Sequence, residues 1–464
     1  MISGAMLIAV AYLLLSLGIL LVERRRTREG GPDAVSVFIT IFWLQCCVAG
    51  GAICAMLPFV DGTRPTGVQF IDNVFRAADF TSLMMVFALT AAFVVFFYVG
   101  CAIAQLAFGG VRAAPRAGRF EMIIHENRLW AVLVAGAVLT GASFWLLGDT
   151  MFLRYANLIL LRSDDPHVTR NVLNSNAFVL TQAWGWLAVI PLFTIAKRRG
   201  FGPTWWLCLA LAIAFALMGV SRRALFLPVL MSYLALALAT QRWRIGYVVA
   251  AAGPMILWIA FGKDLISAIA YGGTVERALG VYESLPSALL RSSSDIGITV
   301  VESIGTISLI DVPPRWGMDH LLSLAQRFPE GLLGLDIDWP ERMVRISTRV
   351  FVGENHQDVP PGLMGQMWLD FRVFGPVVWG LLFGLQVGLV QQFWTRTVKT
   401  VQSAVVFVII TFVIALPINS GSFDFSFGMD IIVLVLALYL CCSWRPLSDQ
   451  FAGAAGSGVL VRSQ

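Results

Sequence analysis

Residues 2 to 28 read ISGAMLIAVAYLLLSLGILLVERRRTR. As a helix, the apolar run from Ile2 to Val22 is long enough to cross about 30 Å of hydrocarbon at roughly 1.5 Å per residue. No basic residue precedes it, and Glu23-Arg24-Arg25-Arg26-Thr27-Arg28 follows it, the reverse of the charge layout of a cleavable signal peptide. The segment reads as a retained anchor. Similar runs recur from end to end, at 2 to 22, 35 to 60, 81 to 109, 129 to 148, 178 to 196, 204 to 221, 224 to 240, 245 to 261, 374 to 393, 403 to 418 and 428 to 444. A chain of 464 residues that is 58% hydrophobic and 13% charged carries more apolar surface than a water-soluble core can hide. The expected fold is all-α, a polytopic transmembrane helix bundle of about eleven spans. A transmembrane β-barrel would show short alternating segments instead. All seven cysteines, Cys46, Cys47, Cys54, Cys101, Cys208, Cys441 and Cys442, fall inside the apolar runs and read as small hydrophobes.

Charge sets the expected topology. With the Arg24 to Arg28 cluster on the cytoplasmic side, the inner connections, 110 to 128, 197 to 203, 241 to 244, 394 to 402 and the tail included, hold 17 of the 33 Lys/Arg and 6 of the 28 Asp/Glu. The outer connections hold the other 16 Lys/Arg and 22 Asp/Glu. Basic residues favour the cytoplasmic side, so the N-terminus is expected in the periplasm and the C-terminus in the cytoplasm. The chain then divides into a bundle of spans 1 to 8 over 1–261, a large periplasmic loop over 262–373, spans 9 to 11 over 374–444, and a cytoplasmic tail over 445–464. The Gly/Ala-rich end of that tail is expected to be disordered. The loop is too long for a simple connection and reads as a cap of short helices lying against the membrane.

Three stretches carry candidate chemistry. In Gly219-Val220-Ser221-Arg222-Arg223, two guanidinium groups stand at a membrane edge where the charge rule disfavours them. An arginine fork suits a lipid pyrophosphate, and the plainer reading is snorkelling to ordinary headgroups. In Glu341 to Arg349, a helix would put Arg342, Arg345 and Arg349 on one face, either to hold an anionic lipid head or to join an ion network in which Glu341 pairs with Arg345 four residues on. In Gly353-Glu354-Asn355-His356-Gln357-Asp358, His356 and Glu354 are candidate bases for a sugar hydroxyl, and a solvated, idle loop histidine is the alternative. His167 and His320 have weaker surroundings, and His125 falls on the inner side. The sequence holds no Walker-type phosphate loop, no His-Glu-x-x-His or Cys-x-x-Cys spacing and no Gly-x-Ser-x-Gly elbow, so no cofactor and no metal site is expected.

Two of these stretches resemble the Wzy-type O-antigen and oligosaccharide repeat-unit polymerases. One is Gly219-Val220-Ser221-Arg222-Arg223-Ala224-Leu225. The other runs from His356 through Pro360-Pro361-Gly362-Leu363-Met364-Gly365 to Phe371-Arg372-Val373-Phe374-Gly375-Pro376, followed by a span with Gly380, Gly384 and Gly388. The resemblance implies a multi-span (GT-C-like) glycosyltransferase of the bacterial inner membrane. It would transfer glycan from one undecaprenyl pyrophosphate to the terminal hydroxyl of a second lipid-linked repeat unit. Arg222, Arg223, Arg345 and Arg349, with Arg372 a lesser candidate, would bind the pyrophosphate, and His356 or Glu354 would help deprotonate the acceptor. Exposed Trp316, Trp339 and Tyr282 would stack on sugar rings. Implied partners are the lipid-linked oligosaccharide, membrane lipids and chain-length regulator or flippase proteins, with no nucleic acid. An O-antigen ligase and a transporter or flippase for a lipid-linked glycan are the competing readings.

Overall fold

The computed structural model describes residues 2–28, 30–60, 66, 69–109, 120–147, 186–187, 189–197, 200–218, 223–244, 246–247, 285–325, 341–353, 359–419, 421 and 429–446, and every structural statement below concerns these. Helix α1 (Ile2–Thr27) is followed by α2 (Ala34–Phe42), a π-helical turn (Trp43–Val48) and α3 (Ala49–Met56), which together form one long rod. Then come α4 (Gln69–Ala77), α5 (Phe80–Gly109), strand β1 (Phe120–Ile124), α6 (Glu126–Leu147), helical residues 189–197, α7 (Pro203–Met218) and α8 (Arg223–Thr240). Two 12-residue helices, α9 (Leu285–Ile296) and α10 (Ile298–Leu309), meet at Gly297. After them lie α11 (Met318–Ala325), α12 (Met343–Val352), α13 (Leu363–Phe371), α14 (Gly375–Arg396), α15 (Val401–Ala415), α16 (Met429–Cys441) and strand β2 (Cys442–Pro446).

Five helical stretches are long and apolar enough to cross a membrane: Gly4–Thr27, Ala34–Phe59, Phe80–Ala107, Leu363–Arg396 and Val401–Asn419. Pro228–Thr240, Ile298–Leu309 and Ile431–Cys441 are shorter apolar helices. The molecule is mostly helical, in keeping with an all-α membrane protein. Local chemistry starts the helices where the chain leaves a turn. Asp33 accepts from Ser36 N at 3.0 Å to cap α2, and Asp79 with Ser82 forms a reciprocal cap on α5. Hydrogen bonding from Ser82, its backbone N–H foremost, holds the Asp79 carboxyl below its usual range. Thr400 caps α15 in the same way through Ser403 N.

The centre of the bundle is the pair α5 and α14. Positions 380, 384 and 388 meet α5 at successively later residues, so the two helices run parallel. A Cβ at Gly384 would stand 2.2 Å from the Phe97 carbonyl oxygen, and one at Gly388 would stand 2.5 Å from Cβ of Ala104. Small residues every fourth position let the backbones touch, which is how helices associate where lipid removes the hydrophobic drive. Beside this seam, Phe38 stacks on Phe97 and Phe42 on Phe93, each at 4.7 Å, and Phe383 packs against Phe93 at 5.9 Å. All seven cysteines are free, and all but Cys442 are buried.

The connections sort to two ends. At one, His125 N bonds Cys441 O, Val398 N bonds Phe120 O, Ile124 N bonds the Gln402 side chain, Lys197 pairs with Glu126, and Gln241 Nε2 reaches Pro32 O. Arg24, Arg25, Arg28, Arg128, Arg242 and Arg244 are exposed there, and we call it the basic end. At the opposite end, Asn73 Nδ2 bonds Phe351 O, Arg315 N bonds Leu369 O, and Gly421 packs on Gly362.

Beside the helices, β1 and β2 form one short antiparallel pair, with Phe120 opposite Pro446 and Ile124 opposite Cys442. Helix α16 ends at Cys441 and β2 follows it directly; residues 447–464 lie outside the described residues. Among the described helices of 263 to 372, one is enclosed by the bundle. Helix α10 is inserted among α4, α5 and α13, with Thr299, Val300, Val301, Glu302, Ser303, Ile304, Gly305 and Thr306 all buried. At its start, a Cβ on Gly297 would stand 2.4 Å from Cβ of Ala49, well inside the rod 34–59. Of the predicted span 245 to 261 all but residues 246–247 lie outside the described residues, and of the predicted span 178 to 196 so do residues 178–185 and 188.

Candidate functional site

The end opposite the basic connections is built around a buried carboxylate. Asp370, in the last turn of α13, is 0% exposed. It accepts from Gln366 Nε2 at 2.9 Å, Trp379 Nε1 at 3.2 Å and Gly317 N at 3.3 Å, and His320 Nε2 lies 3.1 Å from Oδ2. Four donors from three segments, α13 itself, α14 and α11 with its leading turn, converge on one side chain, which is how a buried charge is kept without a matching cation. The chain can approach because Trp316 and Arg372 both adopt left-handed backbone, at φ 54° and 53°, beside Gly317 at φ 76°. A non-glycine residue holds that region only when its surroundings over-determine it. Here Arg315 N and Trp316 N bond the carbonyls of Leu369 and Asp370, and Arg372 donates to Val312 O while its guanidinium sits 5.0 Å over the Trp368 ring.

From this centre the structure steps outward to the arginines. Arg315 grips Asp319 through two bonds at 2.9 and 3.1 Å and donates to Glu341 O at 2.9 Å. Asp319 also accepts from Met343 N at 3.1 Å, so it satisfies a free amide in the first turn of α12. Helix α12 buries Met343, Ser347, Thr348 and Phe351 and turns Arg345 and Arg349 outward. Glu341 pairs with Arg349 at 2.9 Å, not with Arg345 as the i,i+4 spacing predicted. Arg345 is exposed and has no ion-pair partner among the described residues. Hydroxyl groups then fix the returning chain: Val359 N bonds Thr348 Oγ1 at 2.7 Å, Thr306 Oγ1 bonds Pro361 O, Leu363 N bonds Thr299 Oγ1 and Gly365 N bonds Ser303 Oγ. Pro360 and Pro361 have no N–H to satisfy, which suits a strand pinned through carbonyls.

Of the predicted site residues, the structure brings Arg345 and Arg349 onto one exposed face and sets Arg372 in a packing role. Arg222, Glu354 and His356 lie outside the described residues. Arg223 begins α8. The flanks of 354–358 are placed: Gly353 closes α12 with its N bonded to Arg349 O, and Val359 is bonded back to Thr348. Trp316 is exposed, as a sugar platform requires, whereas Trp339 and Tyr282 lie outside the described residues. His125 bonds Ser443 Oγ at 2.7 Å in the basic end. Sequence reasoning missed the Asp370–His320 pair. The two residues are 50 positions apart, and the one local signal was Gln366 and Asp370 at i,i+4 on an otherwise apolar helix. Among the described residues no cluster of His, Cys, Asp or Glu could hold a metal.

No family model, no curated protein and no solved structure matches the chain.

Proposed function

We propose that this protein is a membrane glycosyltransferase that uses a polyprenyl-pyrophosphate-linked oligosaccharide, extending polysaccharide as a Wzy-type repeat-unit polymerase does. The observation that carries the reading is Arg345, exposed and without an ion-pair partner among the described residues, next to Arg349 on α12. Such a guanidinium, exposed on a helix whose other face is packed, is available for an anion, and a diphosphate matches its fork. As the glycan leaves the carrier, negative charge develops on the diphosphate, and cations there lower the barrier. The base would come from Glu354 or His356, whose segment begins and ends on α12. In this reading Arg222 and Arg223 complete the cradle.

The rest of the reading follows the charge rule. About eleven spans cross the bacterial inner membrane, the basic end faces the cytoplasm, and 262–373 is a largely helical periplasmic loop. The N-terminus is then periplasmic and the C-terminus cytoplasmic. Chain-length regulators and flippases are the expected protein partners.

The test replaces Arg345 with alanine in a strain lacking the wild-type copy, with membrane insertion confirmed by fusion reporters. We expect surface polysaccharide to fall to single repeat units, a loss of about 10²-fold in extension. Polymer of normal length would overturn the assignment. Long lipid-linked chains that never reach their final acceptor would mark a ligase instead. Movement of substrate between leaflets of liposomes without lengthening would mark a flippase.

A further inference from the structure

Helix α11 is inside out. A short helix on a water-soluble surface buries apolar side chains and exposes polar ones. Here the buried side carries Asp319 and His320 beside Leu322, held by Arg315 and Asp370. The exposed side carries Met318 and Leu321, the latter 62% exposed, and the turn before it ends in Trp316 at 72%. The neighbouring turn between α13 and α14 adds Val373 and Phe374, the latter 67% exposed. The two turns are adjacent: the Trp316 ring meets Phe371 edge-on at 5.9 Å, and Arg372 donates to Val312 O.

The patch continues a surface whose neighbour is already implied. On α14 the exposed apolar side chains are Val378, Leu382, Leu389 and Phe393, and Phe374 stands four residues before the first of them. Spacings of four, four, seven and four keep all five on one stripe of the helix. A helix of 22 residues is about 33 Å long, close to the thickness of the hydrocarbon layer. That stripe is the lipid-facing side of a membrane-crossing helix, and the lip of Trp316, Met318, Leu321, Val373 and Phe374 extends it past the helix end, at the height where the hydrocarbon gives way to headgroups. Tryptophan concentrates at that level.

We infer that residues 316–321 and 372–374 form an interfacial anchor, a rigid lip whose apolar side chains are inserted among the lipid acyl chains at the end of the bundle opposite the basic connections. Its rigidity has a visible cause. Two non-glycine residues are held in left-handed backbone by bonds to the α13 carbonyls, and the polar inner face of α11 is pinned to Asp370 and Arg315. A segment meant for water would have no need of an apolar exterior, and one meant only to cover the bundle would bury it. The lip requires the bundle to sit in a membrane and is independent of the glycosyl-transfer reading.

The test uses the full-length protein in lipid nanodiscs. An environment-sensitive fluorophore is attached at Leu321→Cys or, separately, at Phe374→Cys, in a Cys442→Ser background; the other six native thiols are buried. Lipids bearing a nitroxide near the top of the acyl chain are expected to quench both labels at least about twofold more than aqueous iodide does. Stronger quenching by iodide at both positions would overturn the inference. So would weak quenching by both agents, because the lip would then be covered by protein; disulfide formation on oxidation of unlabelled Leu321→Cys copies would identify the cover as a second molecule.

Discussion

The two ends of the bundle bury charge in opposite ways. At the basic end a cation lies between anions: Arg26 bonds Glu23 at 2.7 Å and Asp33 at 2.8 Å, and Ser36 and the Tyr98 hydroxyl, each at 2.8 Å, satisfy Glu23 further. The arginine is consumed by the structure. At the opposite end an anion, Asp370, is held by Gln366, Trp379, Gly317 and His320, and the arginines nearest to it do other work. Arg315 clamps Asp319, Arg349 takes Glu341, and Arg345 has no ion-pair partner among the described residues. The buried arginine of the basic end is therefore closed off by its own anions, and the positive charge that end shows to solvent comes from other arginines. At the opposite end the buried charge is an anion, and Arg345 and Arg349 stand outward on one packed helix, an arrangement that suits an anionic ligand.

The largest effect should come from Asp370. Replacing it with alanine strands four converging donors in a buried place, and breaking such a network costs about 3–5 kcal/mol. Thermal unfolding in detergent should show a collapse of the midpoint or no folded protein, and Asp370→Asn, which keeps the shape and one acceptor oxygen, should recover part of the loss. Equal damage from both variants would mean that the negative charge, and not the acceptor geometry, is what the donors hold.

Arg26→Ala tests the other end. It leaves Glu23 and Asp33 facing each other without their cation, at a cost of about 3 kcal/mol, toward the lower limit for a buried pair because the group is partly open to solvent. The comparison breaks if this variant is as stable as the parent. Between the two ends, Gly384→Val asks whether the seam is as close as its geometry implies. The added atoms meet the Phe97 carbonyl, and overpacking of this kind costs about 1–3 kcal/mol, read as a lowered unfolding midpoint. Arg345→Ala should sharpen the contrast with Arg26: stability within about 0.5 kcal/mol of the parent, as for an exposed side chain, while chain extension is lost.

Much of this was legible in the sequence and the rest was not, for one physical reason. Apolar runs such as 2 to 22, 35 to 60 and 81 to 109 carry their own signal, because lipid forces a spanning segment to satisfy its backbone within itself. The seam of Gly380, Gly384 and Gly388 was visible as a glycine-rich span. Helix α10 was not, because Thr299, Ser303 and Thr306 make it look like part of a polar loop. Their hydroxyls are spent on Leu363, Gly365 and Pro361, more than 50 residues away. The Asp370 network and the β1–β2 pair are hidden in the same way, by partners that no local spacing reveals. Of the stripe that spacing predicted, Arg345 and Arg349 lie on α12, whereas Arg342 is the extended residue before its first turn; Glu341 also lies before the helix and reaches Arg349 instead of Arg345.

The smallest effect concerns Lys399, in the turn between α14 and α15 at the basic end. Its ammonium lies 3.9 Å over the Trp394 ring, and partial burial there pushes its pKa down to about 8, against a smaller upward pull from Asp33. Between pH 8 and its usual value of 10.5 the unfolded chain holds a proton that the folded chain has lost, so stability rises as pH increases through that window. The group is half-exposed, so solvent screening keeps the gain small. Chemical reactivity gives the sharper measurement. At pH 8 about half of the Lys399 side chains are neutral amines, whereas Lys197 is engaged in an ion pair with Glu126. Brief acylation followed by peptide mass spectrometry should modify Lys399 ahead of Lys197, and Asp33→Asn, which removes the upward pull, should widen the difference. Faster labelling of Lys197 would mean that Lys399 is as well hydrated as a surface lysine, and that the basic end is less tightly closed around Trp394 than the contrast between the two ends requires.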